Sequence, residues 1–164
     1  MKKILSALIA ALLVLSAASA LAEVQLGQAI YAAHGTKCFA VITVAMEDGK
    51  IADAYIDEFQ MLDNTAVGVP NSEAMIPVEG KVLASKRVNN DMYSENMKKA
   101  GSTVAIAANY DAIEAYVAGK TVAELEAEVA GKDAAAMVDA VAGCTLADTL
   151  GYVNGIIEAA KAAK

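Results

Sequence analysis

Few side chains in this sequence could carry chemistry, and several of them fall in one stretch, VDAVAGCTLADTLGYV at 138–153. There Gly143, Cys144 and Thr145 precede Asp148, the spacing of a helix N-cap hydroxyl with a carboxylate three residues on. Such a start has two readings. It is a capped helix, or it is a place where unpaired amide N–H groups and the helix dipole hold a phosphate beside the Thr145 hydroxyl. Asp148 weighs against the second, because its carboxylate competes for the same amides.

The other reactive types are sparse. The chain has one His, His34, and two Cys, Cys38 and Cys144, too few soft ligands for a four-coordinate zinc site. The carboxylates form no calcium-loop motif, so no metal is expected. Cys144 and His34 could in principle be nucleophile and base, but no third orienting group is evident. Asp57 and Glu58 are adjacent, so on a strand they point to opposite faces and cannot act as a pair; both read as solvated edge charges. The six tyrosines read as core or boundary residues and the methionines as gap-fillers.

These residues must be positioned by a modest chain. Residues 1–22, MKKILSALIAALLVLSAASALA, have a basic start, an apolar run and small residues at 20 and 22, the form of a cleaved export signal. The expected organisation is therefore a signal peptide at 1–22 and one domain at 23–164, in a secreted or cell-envelope, extracytoplasmic protein. An oxidising compartment permits a Cys38–Cys144 disulfide without requiring it. The formal net charge of −7 becomes more negative once Lys2 and Lys3 are set aside, which repels phosphate backbones and makes nucleic acid an unsuitable partner.

Within the domain, the β-branched run after Lys37, the Asp48-Gly49 turn and the run from Lys50 predict a β-hairpin. Its second strand alternates imperfectly, which places it at or near a sheet edge or against a polar site. Residues 61–80 hold both prolines and read as a long loop, followed by a short strand around Lys81–Arg87 and a polar helical turn ending at Gly101. A helix capped at Asn109 or Asp111 then runs to Gly119. Thr121 and Glu124 form a capping box for a helix stopping near Gly131. A last helix carries Leu146, Leu150, Val153, Ile157 and Ala160 on one stripe. Gly151 and Gly155 weaken that helix unless close packing needs them. Strands first and helices later predict an α+β fold, an antiparallel sheet beginning with a hairpin and packed by C-terminal helices.

The segment Asp139-Ala-Val-Ala142-Gly143-Cys144-Thr145 resembles the motif of the FMN-binding domain family. That motif has an Asp, two intervening residues, a small or hydroxylated residue, then Gly, Ala and Thr. His34-Gly35 with the following hairpin, Ser85-Lys86-Arg87, Tyr93 with Met97-Lys98, and Ala118-Gly119-Lys120-Thr121-Val122 also resemble secreted single-domain bacterial members. The resemblance implies FMN as cofactor near the 139–145 turn. Thr145 is its candidate attachment residue, and Asp139, Ala142, Gly143 and Cys144 are the other motif positions. Ala142 stands where the family commonly has Ser or Thr, and Cys144 where it has Ala, so covalent and non-covalent attachment both remain open. The implied function is electron transfer outside the cytoplasm, as a carrier more than a complete enzyme. The implied partners are a flavin transferase and a membrane or extracellular redox protein. Because the domain is acidic, hydrogen-bond donors should be present near the flavin ring. The alternative is a cofactor-free secreted binding or surface protein of the same fold.

Overall fold

A computed structural model describes residues 23–72, 74 and 78–164; the expected export signal at 1–22 lies outside the described residues. Four strands form one antiparallel sheet in the order β1 (Gln25–Tyr31), β2 (Cys38–Glu47), β3 (Lys50–Asp63) and β4 (Lys81–Ser85). Five helices follow: α1 (Asn90–Lys99), α2 (Ile106–Val117), α3 (Val122–Val129), α4 (Ala134–Ala140) and α5 (Thr149–Lys161). The fold is α+β. Among the described residues no helix is long and apolar enough to cross a membrane.

The β2–β3 hairpin turns at Asp48 and Gly49, both with positive φ (50° and 75°), the geometry that matches the twist of a two-residue hairpin loop. The register then slips: Ala45 faces Asp53 whereas Met46 faces Ile51, so Ala52 is an extra residue on β3. This bulge explains the imperfect alternation of β3. It lets Ile51 and Ala54 both point inward, followed by Ile56 and Glu58, while Ala52 and Tyr55 stay exposed. β3 is an interior strand, paired on both sides, and its inward polar residue is buried.

β2 contributes Ala40, Ile42, Val44 and Met46 to the covered face of the sheet, against which α5 lays Val153, Ile156, Ile157 and Ala160. The close approach depends on small residues. A Cβ built on Gly27 of β1 would lie 1.9 Å from the Ala159 carbonyl oxygen, and one on Gly155 would lie 2.5 Å from Ile42 Cδ1. The helix weakening expected from Gly155 is therefore offset by sheet contact that a side chain would block.

Two other boundaries differ from the sequence reading. The loop before β4 begins after Asp63, because β3 continues to pair with β4. Asn89 pins it, accepting from Val67 N at 2.8 Å and donating to Val67 O at 3.0 Å. Helix α2 starts at Ile106, ahead of Asn109, with no local cap. Its first amides are satisfied from α1: Ile106 N donates to Ser94 Oγ at 3.0 Å and Ala107 N to Asn90 Oδ1 at 3.1 Å. The Thr121–Glu124 capping box forms in both directions.

Candidate functional site

The last helix begins at Thr149, four residues later than the Thr145 cap predicts. Asp148 occupies the N-cap position without a side-chain cap bond; its carboxylate pairs with His34. The chain from Ala142 to Asp148 is non-helical, with turns at 142–143 and 147–148, and the first helical amides are already used, Thr149 N by Leu146 O at 3.1 Å and Gly151 N by Asp148 O at 2.8 Å. Thr145 is thus not a helix cap, and the phosphate-holding helix start expected beside it is not formed there. The physical reason is that His34, from the β1–β2 loop, draws the Asp148 carboxylate away from the position where it would support a cap.

The five motif residues divide between exposed and anchored. Asp139 is exposed near the end of α4, and Ala142 and Gly143 are exposed in the turn, where Gly143 has φ +85° and so takes a conformation that side chains disfavour. Cys144 is buried, its sulfur 3.1 Å from Thr149 Oγ1. Thr145 is exposed and tied to α2: its amide donates to Asn109 Oδ1 at 2.7 Å and its hydroxyl to the same atom at 3.3 Å. Asn109 in turn donates to Val104 O and Ala105 O, which makes it the joint between the turn and the start of α2. Cys38 and Cys144 are both free buried thiols, so the disulfide that the sequence permits is not formed.

The strongest chemical feature lies elsewhere in the sequence. Glu58, read as a solvated edge charge, has no exposed surface. The inward register of β3 carries it under the helices, where Lys86, just past the end of β4 and 1% exposed, donates to Glu58 Oε2. Two tyrosine hydroxyls donate to the same oxygen, Tyr110 of α2 at 3.1 Å and Tyr152 of α5 at 2.8 Å, their rings edge to face at 5.3 Å. Glu58 Oε1 has no hydrogen-bond partner among the described residues.

Charge and burial set the protonation of this cluster. Burial by itself would push the Glu58 carboxyl up, but the Lys86 ammonium and the hydrogen bonds to it hold it below its ordinary value. Burial works in the opposite direction on Lys86, and the Glu58 charge overcomes it, so Lys86 is raised. Both tyrosines are raised, first by burial and also by the Glu58 charge, which keeps them as donors. Cys38 is pushed up to about 11 by burial and by Glu58, so its thiol is inert as a nucleophile. The cluster is a fixed ion pair, with neither an available base nor a thiolate.

Lys86 also reaches the wall of a cleft of about 460 Å³, within the range of small-molecule sites. Tyr93, Met97, Leu146, Tyr152 and His34 line it too. The ammonium stands 4.7 Å from the centroid of the Tyr93 ring. No family model matches this chain, and no curated protein or solved structure shows significant similarity to it. The walls of the cleft are mixed: Met61, Leu62, Met97, Ile106 and Leu146 are apolar, Gln60, Asn96 and His34 are polar, and Asp63 pairs with Lys81. Leu146 connects this cleft to the motif, since it follows Thr145 directly; none of the five motif residues lines the cleft.

A larger groove of about 680 Å³ runs between β1, α3 and α5. Lys161 pairs at the surface with both Glu126 and Glu158, which leaves the groove one net negative charge on half-exposed side chains.

The sequence reading missed Glu58 and Lys86 as a site, although one signal was available. In the run Ala54, Ile56, Glu58 a carboxylate follows the apolar face of a strand, and a buried carboxylate needs a cation or donors. The pattern pointed to a buried partner without naming Lys86, which entered only within a resemblance.

Proposed function

We propose that the protein is an exported FMN-binding electron-transfer protein, with the flavin ring in the cleft beyond Leu146 and its phosphate end at the 142–145 turn. The observation that carries this reading is the juxtaposition of Thr145 with the cleft through Leu146. Bound FMN would supply the redox chemistry, and the chain would supply position and electrostatics. Thr145 and Gly143 are the residues to hold the phosphate end, with the buried Asn109 fixing the Thr145 backbone, while Met97, Leu146 and Tyr93 give the ring apolar walls. Thr145 is an exposed residue whose hydroxyl makes only a long hydrogen bond to Asn109, so a flavin transferase would esterify the phosphate there or the turn would hold it without a covalent bond. A membrane or extracellular redox protein would exchange electrons with it.

One observation favours the cofactor-free surface or binding protein: the Thr145 amide and hydroxyl already have a partner in Asn109, which a purely structural turn would also require. Expression of the exported chain together with a flavin transferase, followed by denaturation and visible spectroscopy, separates the readings. A flavin band that stays with the polypeptide and is lost in Thr145→Val supports esterification, whereas colour released on denaturation supports non-covalent FMN. A colourless protein that also fails to bind added FMN refutes the flavin reading.

A further inference from the structure

The two edges of the sheet are guarded unequally. β4 is five residues long, starts at Lys81, and is met on its outer side by the preceding loop, where Val69 N donates to Leu83 O at 2.8 Å. β1 is seven residues long and reads Gln-Leu-Gly-Gln-Ala-Ile-Tyr, so it lacks the charges and prolines by which edge strands resist pairing. Leu26 and Ile30 stand 63% and 72% exposed along it. From this contrast we infer that the free edge of β1 is an interface, and that its occupant is β1 of a second copy of this chain.

The register fixes which backbone groups that edge offers. Glu47 pairs with Lys50 directly across the two-residue turn, the hydrogen-bonded kind of pair, and the groups of β2 alternate from there. Those of Met46, Val44, Ile42 and Ala40 therefore face β1, where their partners are Gln25, Gly27, Ala29 and Tyr31. The N–H and C=O of Leu26, Gln28 and Ile30 consequently point away from the sheet. Lys164 N, which donates to Leu26 O at 3.3 Å, agrees with that direction, and among the described residues it is the one backbone bond to these groups from outside the sheet.

Antiparallel pairing of two β1 strands about Gln28 satisfies all of these groups. Gln28 meets Gln28 of the second copy and Leu26 meets its Ile30, each as a pair that exchanges both backbone hydrogen bonds. The strand is self-complementary in this register: on the outer face Leu26 packs on Ile30 and amide meets amide, with no like charges opposed. Leu26 O has a second lone pair, so the Lys164 bond is not forfeited. The groove of about 680 Å³ continues the same edge, since Ala29, Ile30 and Tyr31 line it, and adds surface from α3 and α5. A strand of seven residues spans about 24 Å, and its edge alone falls short of the ~800 Å² per partner of a standard interface. The dimer is therefore weak, with a Kd on the order of 10 µM.

Sedimentation equilibrium of the purified exported chain, from about 1 to 200 µM, tests this: the mass should rise from one chain toward two. Gln28→Pro removes a donor from each copy at the centre of the pairing and costs the monomer no backbone hydrogen bond, because proline is tolerated where an edge N–H faces solvent. It should weaken association about tenfold or more. If that variant does not fold by circular dichroism, Gln28→Lys, at an exposed position, sets two ammonium groups opposite each other and should weaken association about fivefold. Gln28→Cys reads the register itself. Its thiols would lie on the twofold axis about 5.5 Å apart at Cα, within reach of a disulfide, so mild oxidation should join two copies faster than it joins Ala52→Cys, an exposed position on β3. A chain that stays monomeric at the highest concentration overturns the inference and leaves the edge to an extended segment of another protein. A dimer that neither Gln28→Pro nor Gln28→Lys weakens, or equal crosslinking of the two cysteine variants, overturns it as well.

Discussion

Replacing Lys86 by Met should expose how much the buried pair matters to folding, and the loss should depend on pH in a way that identifies Glu58 as its origin. In the natural protein Glu58 is held below its ordinary value, so its contribution is present above the unfolded carboxyl pKa of about 4.3 and is lost as pH falls through the lower folded value. Lys86 is raised, so its contribution is present below about 10.4, the unfolded value, and is lost as pH rises through the folded one. Between pH 5 and pH 8 the pair is intact on both counts. Its contribution to stability should be nearly flat across that window.

Lys86→Met reverses the sign for Glu58. With no cation, burial dominates and the folded carboxyl is raised, so stability is lost as pH climbs from about 4.3 toward the new folded value, by ~1.4 kcal/mol per pH unit. At pH 8 the loss should reach about 3–5 kcal/mol, the usual cost of orphaning a buried charge. That corresponds to a fall in Tm on the order of 10 °C for a domain of this size. At pH 5 it should be much smaller. Adding Glu58→Gln removes the ionisable group while keeping an acceptor for Tyr110 and Tyr152, and should recover most of the loss and abolish its pH dependence. Urea unfolding followed by circular dichroism at pH 5 and pH 8 measures all three proteins. An equal loss at both pH values, or a double variant less stable than Lys86→Met at pH 8, would refute the assignment of the buried ion pair.

Three further perturbations test other parts of the structure. Thr121→Ala removes the reciprocal capping bonds of α3 and should cost about 1 kcal/mol in the same unfolding assay. Gly27→Ala sets a methyl 1.9 Å from a backbone carbonyl of α5, so it should cost about 1–3 kcal/mol or more, because the helix itself must shift; thermal denaturation reads this directly. Arg87 donates to Ile56 O at 2.5 Å, to Asp111 at 2.8 Å and to Glu114 at 2.5 Å, and Lys cannot reproduce that fork, so Arg87→Lys should lose about 1.5–3 kcal/mol in urea unfolding.

Local signals in the sequence served well where the chain satisfies its own backbone. Asp48-Gly49 and the Thr121–Glu124 box are complete within four residues, and both form as read. The helix starts at 106 and 149 were misplaced because their conditions are tertiary. Ser94 and Asn90 of α1 take the amides that open α2, and His34 takes the carboxylate that would have served a cap at Thr145. A propensity argument has no access to a partner twelve or a hundred residues away. The bulge at Ala52 is of the same kind: it appears in the sequence only as an untidy alternation, and becomes intelligible once β3 is seen paired on both sides.

The site follows this division more sharply. Glycine, threonine and cysteine around 143–145 attract notice because those residue types mark turns and reactive groups wherever they stand. Glu58 and Lys86 attract none, since acidic and basic residues are common on any surface and these two stand 28 positions apart. Their significance comes from burial, which changes the energetic meaning of a charge: exposed, such a pair contributes little, whereas enclosed it must be matched donor for acceptor. Three separate elements supply the donors that converge on Glu58 Oε2, while Oε1 is left without one. An arrangement assembled only for stability could have used apolar side chains of similar volume at no loss. A lysine is nonetheless retained here, and the carboxylate and two tyrosines committed to fixing it tie the sheet to α2 and α5 through a single oxygen, a specificity that apolar side chains would not give.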